Sequence, residues 1–130
     1  MTTTARRRPP RTFAAIAALI VAAAAGCATA REGVQTGKAS YYAHGLAGHR
    51  TASGERYDPQ AFTAAHPTLP LGTWVRVSRR GGASVDVRIN DRCGCASHII
   101  DLSEAAARQL EMMRAGSVAV RIEVLRHDKR

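Results

Sequence analysis

Two stretches of the chain alternate apolar and polar residues without a break. Trp74-Val-Arg-Val-Ser sets Val75 and Val77 on one face. Ser84-Val-Asp-Val-Arg-Ile-Asn sets Val85, Val87 and Ile89 on one face and Asp86, Arg88 and Asn90 on the other. A period of two is that of a strand buried on one side. Gly81-Gly82 between the two runs predicts a hairpin turn. Val118, Val120, Ile122 and Val124 predict a last strand, and Lys38-Ala-Ser-Tyr-Tyr a first one. The period then changes. Leu102, Ala106 and Leu110 recur at four-residue spacing and predict a helix over Ser103 to Met113, ended by Gly116. Ala61 to Ala65 reads as one helical turn, and His44 to Asp58, rich in Gly, Ser and Thr, as loop. Several short strands with one helix favour a small barrel over a layered α/β fold.

The N-terminus follows a different pattern. Arg6, Arg7, Arg8 and Arg11 precede an uncharged run, Phe13 to Ala25, and then Gly26 and Cys27. A basic start, a short apolar core and small residues before a cut make an export signal. The run falls short of the roughly 20 residues of a membrane span. Ala24-Ala25-Gly26-Cys27 reads as a bacterial lipobox with Ala24 where Leu is usual, so Cys27 is the expected site of lipidation; the alternative is an ordinary signal peptide with a chance cysteine. The expected organisation is a signal peptide over 1–26, a tether over 27–36, a barrel over 37–125 and a tail over 126–130.

Charge narrows the partners. The whole chain has 19 basic and 10 acidic side chains. Losing the four leader arginines leaves fifteen against ten, a net charge of five. That balance suits an anionic neighbour such as a cell wall. The aromatic residues Tyr41, Tyr42, Tyr57, Phe62 and Trp74 form no stacking series, so nucleic acid is not an expected partner.

The densest chemistry lies in Ile89-Asn-Asp-Arg-Cys-Gly-Cys-Ala-Ser-His-Ile-Ile-Asp-Leu-Ser. Asp91 after a strand is either a turn-former or a catalytic acid. Asp101 precedes Leu-Ser-Glu, where either it or Ser103 can cap the helix, and capping is the favoured reading of Asp101. Cys93 and Cys95 allow a disulfide in an oxidising compartment, two free thiols, or a metal site with His98 and one of His44, His49 and His66. One residue between the cysteines is fewer than the two to four that structural zinc prefers, so no metal is expected.

Four segments, GKASYYAHGLAGHRTASGERYD, FTAAHPTLPLGTWVRV, VDVRINDR and IIDLS, occur in this order from Gly37 onward. Together they resemble the double-psi β-barrel of the rare lipoprotein A family, septal-ring lytic transglycosylases of the bacterial envelope. The resemblance implies a mainly β fold, a six-stranded double-psi barrel with one or two short helices. It implies cleavage of the bond between N-acetylmuramic acid and N-acetylglucosamine without water, the sugar's own 6-hydroxyl closing a 1,6-anhydro ring. By position, Glu55 and Asp58 match the acids of the family's TASGE-x-Y-D segment, His66 its TAAH histidine, and Asp91 the aspartate of NDR, the expected acid. Tyr41, Tyr42, Thr63, Arg88 and Arg92 are expected to bind substrate. No cofactor is implied. The expected partners are peptidoglycan glycan strands and, through the lipid anchor, a membrane, with the chain a monomer in the cell envelope.

Cys93-Gly94-Cys95 stands where the family usually has Gly-Pro after NDR, and a disulfide there would stiffen the loop after Asp91. Many members also carry a C-terminal peptidoglycan-binding SPOR domain, whereas this sequence ends six residues after Val124. The alternative reading is a non-catalytic, expansin-like glycan-binding lipoprotein, since a fold does not decide an activity.

Overall fold

The computed structural model describes residues 33–128; the export signal and the lipobox lie outside them. Six strands, β1 (Val34–Tyr41), β2 (Thr63–Ala65), β3 (Thr73–Arg79), β4 (Ser84–Asp91), β5 (Ile100–Leu102) and β6 (Val118–His127), and one helix, α1 (Glu104–Gln109), follow in chain order. The strands close into a barrel in the order β1-β5-β2-β4-β3-β6. β1 runs parallel to β5 and β2 parallel to β4; the remaining pairs are antiparallel.

The alternating runs form strands because one face of each can be buried. Val75, Val77, Val85, Val87 and Ile89 point into the barrel with Ile100, Leu102, Val118, Val120 and Ile122. The β3–β4 hairpin turns at Gly81 and Gly82, whose φ values of 105° and 124° would strain any side chain. Gly37 in β1 lets the chain before β5 come close: a Cβ there would lie 2.8 Å from Ile99 Cγ2.

Four expectations change. Val34–Thr36, read as tether, already pair with β6, and β6 runs to His127, into the expected tail. Thr63–Ala65, read as part of a helical turn, is a buried strand held on both sides by β4 and β5. Its three small residues fit a crowded barrel wall, and pairing on two edges overrides alanine's helical preference. Helix α1 is shorter than predicted: the chain leaves it at Leu110 and takes a left-handed turn at Glu111 (φ 57°), which swings Met112 into the core. The helix cap is Ser103 and not Asp101. The Ser103 hydroxyl accepts from Ala106 N and donates to Ala61 O at 2.6 Å, fastening α1 to the segment entering β2.

Candidate active site

Asp91 ends β4 and Asp101 lies in β5, and both are registered with the same residue, Ala65 of the short strand between them. Ala64 is paired with Ile89 and Leu102, all buried inside the barrel. Ala65 and Asp101, one residue further along, therefore belong to the outer face. In β4 that step alone would bring Asn90, not Asp91, opposite Ala65. A bulge between Ala64 and Ala65 supplies the extra residue and turns Asp91 to the outer face beside Asp101. Ser40 of β1 is registered with Asp101 on the other side, and Tyr42, two residues on, shares that face. The fold thus gathers Tyr42, Asp91 and Asp101 on one outward surface.

Asp91 is held by three donors. Its Oδ1 accepts from Ala52 N at 2.9 Å and from Arg92 N at 2.8 Å, and its Oδ2 accepts from the Tyr42 hydroxyl at 2.7 Å. Burial first, then the hydrogen bond to Asp91 and the charges of Asp91 and Asp101, push the Tyr42 phenol well above its ordinary range. It therefore stays protonated and remains a donor. Its ring packs on Tyr57 with centroids 4.4 Å apart, and the Tyr57 hydroxyl accepts from Glu104 N at the start of α1. Asp101 Oδ1 is 2.6 Å from His98 Nε2, and its Oδ2 is 3.9 Å from Cys95 Sγ. Cys93 and Cys95 are joined by a disulfide, and Cys93 Sγ lies 3.8 Å from Ala65 O, so the bridge stands over the residue that separates the two aspartates.

The Thr51–Tyr57 segment is a small hairpin closed by Thr51 N to Glu55 O and Tyr57 N to His49 O. It lies along β4 through Ser53 N to Asn90 O, which brings Ala52 N onto Asp91. Glu55 lies on the same hairpin as Ala52. Arg88 clamps it with two hydrogen bonds, of 2.8 and 2.6 Å, and the guanidinium is raised further above its usual range chiefly by that bond. Asp58 is exposed, and its Oδ1 accepts from Gln60 N, as in a turn.

His66 is buried next to Asp91, with 2% of its surface exposed. Its Nδ1 accepts from Thr68 N at 3.1 Å and Leu69 N at 3.0 Å, so Nε2 carries the proton and donates to Gln35 Oε1 at 3.0 Å. Burial, and next the charge of Arg92, lower its pKa, which keeps the ring neutral. His66 N also donates to Asp91 O, and Arg92 donates to the carbonyls of His66 and Leu69. Arg92 thus ties down this loop and points away from the carboxylates.

Of the expected substrate-binding residues, Tyr42 joins the aspartates. Tyr41, one residue earlier, faces the other way and donates to Met113 O. Thr63 is buried, registered with Arg88. Asp101, for which the sequence favoured helix capping over catalysis, lies one strand from Asp91, a position set by register.

Residues 34–122 match the family model described as lytic transglycolase. The chain is 49% identical over 94 residues to the endolytic peptidoglycan transglycosylase RlpA of Neisseria meningitidis serogroup A, covering 71% of this chain and 39% of that protein. It is 46% identical over 98 residues to the protein of the same description from Vibrio cholerae, covering 74% and 37%. It thus spans about two fifths of the length of these relatives. Among solved structures, the Streptomyces papain inhibitor matches with a TM-score of 0.58 at 29% identity over 72% of this chain and 94% of that one. The Clavibacter michiganensis expansin matches with a TM-score of 0.59 at 25% identity over 75% and 52%. On the extent of the family match and the ordered motifs that carry it, the chain belongs to the lytic transglycolase family, the double-psi β-barrels of the rare lipoprotein A type.

Proposed function

We propose that this barrel cuts peptidoglycan glycan strands without water, leaving 1,6-anhydro ends. The observation that carries the reading is the placement of Asp91 and Asp101 on one outward face across Ala65, with the Tyr42 hydroxyl on Asp91. The names of the relatives support the same activity and substrate. A glycosidic oxygen is a poor leaving group until it is protonated. In the proposed reaction the Asp91 carboxyl gives its proton to that oxygen as the C1–O bond breaks. The 6-hydroxyl oxygen then bonds to C1, and its proton returns to the Asp91 carboxylate. No water is consumed, so the separation that hydrolases keep between their carboxylates is not required. Asp101 adds negative charge facing the positive charge that develops on the sugar ring.

The other proposed roles are positional. Glu55 with Arg88 braces the 51–57 hairpin that brings Ala52 N to Asp91, and His66 holds the loop beneath it. The disulfide stiffens the chain after Asp91. Purified sacculi incubated with the protein should release anhydro-muropeptides detectable by mass spectrometry. The likeness to an expansin favours a second reading, a glycan-binding barrel that does not cut. Binding to sacculi with no anhydro product from any of them would establish that reading in place of the first.

We further propose that the chain is anchored in the cell envelope by a lipid on Cys27. Cys27→Ala should release the protein from membranes or leave its precursor uncut, read by membrane fractionation and intact mass. A Cys27→Ala protein that stays membrane-bound and correctly processed would exclude the anchor.

A further inference from the structure

Cys93 Sγ, Cys95 Sγ and an Asp101 carboxylate oxygen lie within 4.8 Å of one another, the only such triad of metal-ligating groups among the described residues. All three side chains are half-buried. Disulfide sulfur has no hydrogen to donate and is a poor ligand, but the thiolates released by reduction are good ones. Tetrahedral zinc with Zn–S of about 2.3 Å and Zn–O of about 2.1 Å would hold its two sulfurs about 3.8 Å apart and each sulfur about 3.6 Å from the oxygen. The Cys95 Sγ to Asp101 Oδ2 distance is already 3.9 Å, and the two cysteine Cα atoms are 5.1 Å apart. The one-residue spacing is shorter than structural zinc prefers, so the sulfurs have to part and Cys93 Sγ has to close on the oxygen from within 4.8 Å; Gly94 between them has open space on its side-chain side.

His98 supplies the second observation. Its Nε2 is buried and 2.6 Å from Asp101 Oδ1, yet off the line of a hydrogen bond and without another partner. A small turn of the ring would make it the partner that orients a ligating carboxylate, leaving Asp101 Oδ2 for the ion. The guanidinium of Arg92, which would repel a cation, is turned to the carbonyls of His66 and Leu69.

We propose that reduction of Cys93–Cys95 creates a site for one thiophilic divalent cation, Zn2+ or a chemical equivalent, with Cys93, Cys95 and Asp101 as ligands and His98 holding Asp101. A dithiol supplies the electrons: the Cys93–Cys95 bond breaks, two S–H groups form, and the dithiol closes to its own disulfide. The cation then displaces both thiol protons to water. Water fills the fourth position, as at zinc sites with three protein ligands. An occupied site would take Asp101 from the glycan face; that consequence rests on the proposed cleavage, whereas the metal binding does not.

The test uses the full chain with Cys27→Ser, so that no third thiol competes. The protein is reduced with a dithiol, freed of it without air and titrated with Co2+. The expected result is one equivalent bound, with the near-ultraviolet charge-transfer and strong visible absorption of tetrahedral thiolate-bound cobalt, both lost on adding Zn2+. The oxidised protein, which keeps every histidine, should bind at least about a hundredfold more weakly. Cys95→Ser should abolish the charge-transfer band, Asp101→Asn should weaken binding and shift the visible bands, and His98→Gln should weaken binding about 10–100-fold. Closing so short a loop removes little chain entropy, so the reduced barrel should keep its circular dichroism. No cobalt–thiolate absorption in the folded reduced protein, binding unchanged in Asp101→Asn, or loss of the barrel on reduction would each overturn the proposal.

Discussion

Asp91→Asn should lower the release of anhydro-muropeptides at least about a hundredfold, the lower range for general acid catalysis, while the barrel stays folded and still binds sacculi. The substitution isolates the proton. Asparagine has the shape of aspartate, and its Oδ1 can keep the hydrogen bonds from Ala52 N and Arg92 N. Its Nδ2 would face the Tyr42 hydroxyl, which can turn from donor to acceptor. Only the transferable proton and the negative charge are lost. The Tyr42 phenol reports that loss independently of activity. Burial is the largest cause of its raised pKa, and the bond to Asp91 and the Asp91 charge are the next two. In Asp91→Asn it should ionise at a lower pH than in the wild type, still above an ordinary tyrosine, which an ultraviolet titration can follow.

Asp101→Asn is the companion variant, and its expected effect differs from what the sequence suggested. A capping Asp101 would lose helix stability on becoming Asn. With Ser103 as the cap, the melting temperature should hardly move, and any loss should appear in the rate. Normal cleavage by Asp91→Asn together with no cleavage by a folded Asp101→Asn would transfer the proton-carrying role to Asp101.

The contrast between these two aspartates shows what sequence carries and what it leaves to the fold. β3, β4 and β6 were legible because each keeps a period of two over several residues, and the Gly81-Gly82 turn marks where the first two meet. β2 was not. A strand of three small residues has too few positions to show a period, and its identity comes from neighbours on both edges. Asp91 was found through its motif, yet its orientation depends on the bulge opposite Ala64 and Ala65, a property of pairing that no local pattern records. Asp101 was read as a cap because Asp-Leu-Ser-Glu offers two capping side chains, and only the packing of α1 on Ala61 selects Ser103. Glu55, Asp58 and His66 were grouped with Asp91 by their match to the family's motifs. In space they form an ion pair, a turn and a buried brace.

The buried brace leads to the largest expected change in stability. His66→Ala should cost about 2–4 kcal/mol, read by urea or thermal unfolding. It removes a fully packed ring, leaves Thr68 N and Leu69 N without their acceptor and strips Gln35 of its partner. Two milder variants separate the bonds. Asn places its Oδ1 near the position of Nδ1 and can still accept from the turn, whereas Gln places its amide nitrogen near Nε2 and can serve only Gln35. His66→Asn should therefore be more stable than His66→Gln. The pH dependence carries a definite sign. Burial first, and Arg92 second, lower the folded-state pKa of His66 below the unfolded value of about 6.5. Above that value the ring is neutral in both states and the full stability is present. As pH falls below about 6.5 the unfolded chain takes up a proton that the folded ring refuses, and stability declines until pH passes the folded pKa. The wild type should thus lose more stability than His66→Asn as pH falls from 7 through the unfolded value of about 6.5, since every other titrating group is common to both. Cleavage by His66→Asn, measured where the variant is fully folded, should keep the pH profile of the wild type. A profile that loses one limb in a folded His66→Asn would place the imidazole in proton transfer and refute its role as a brace.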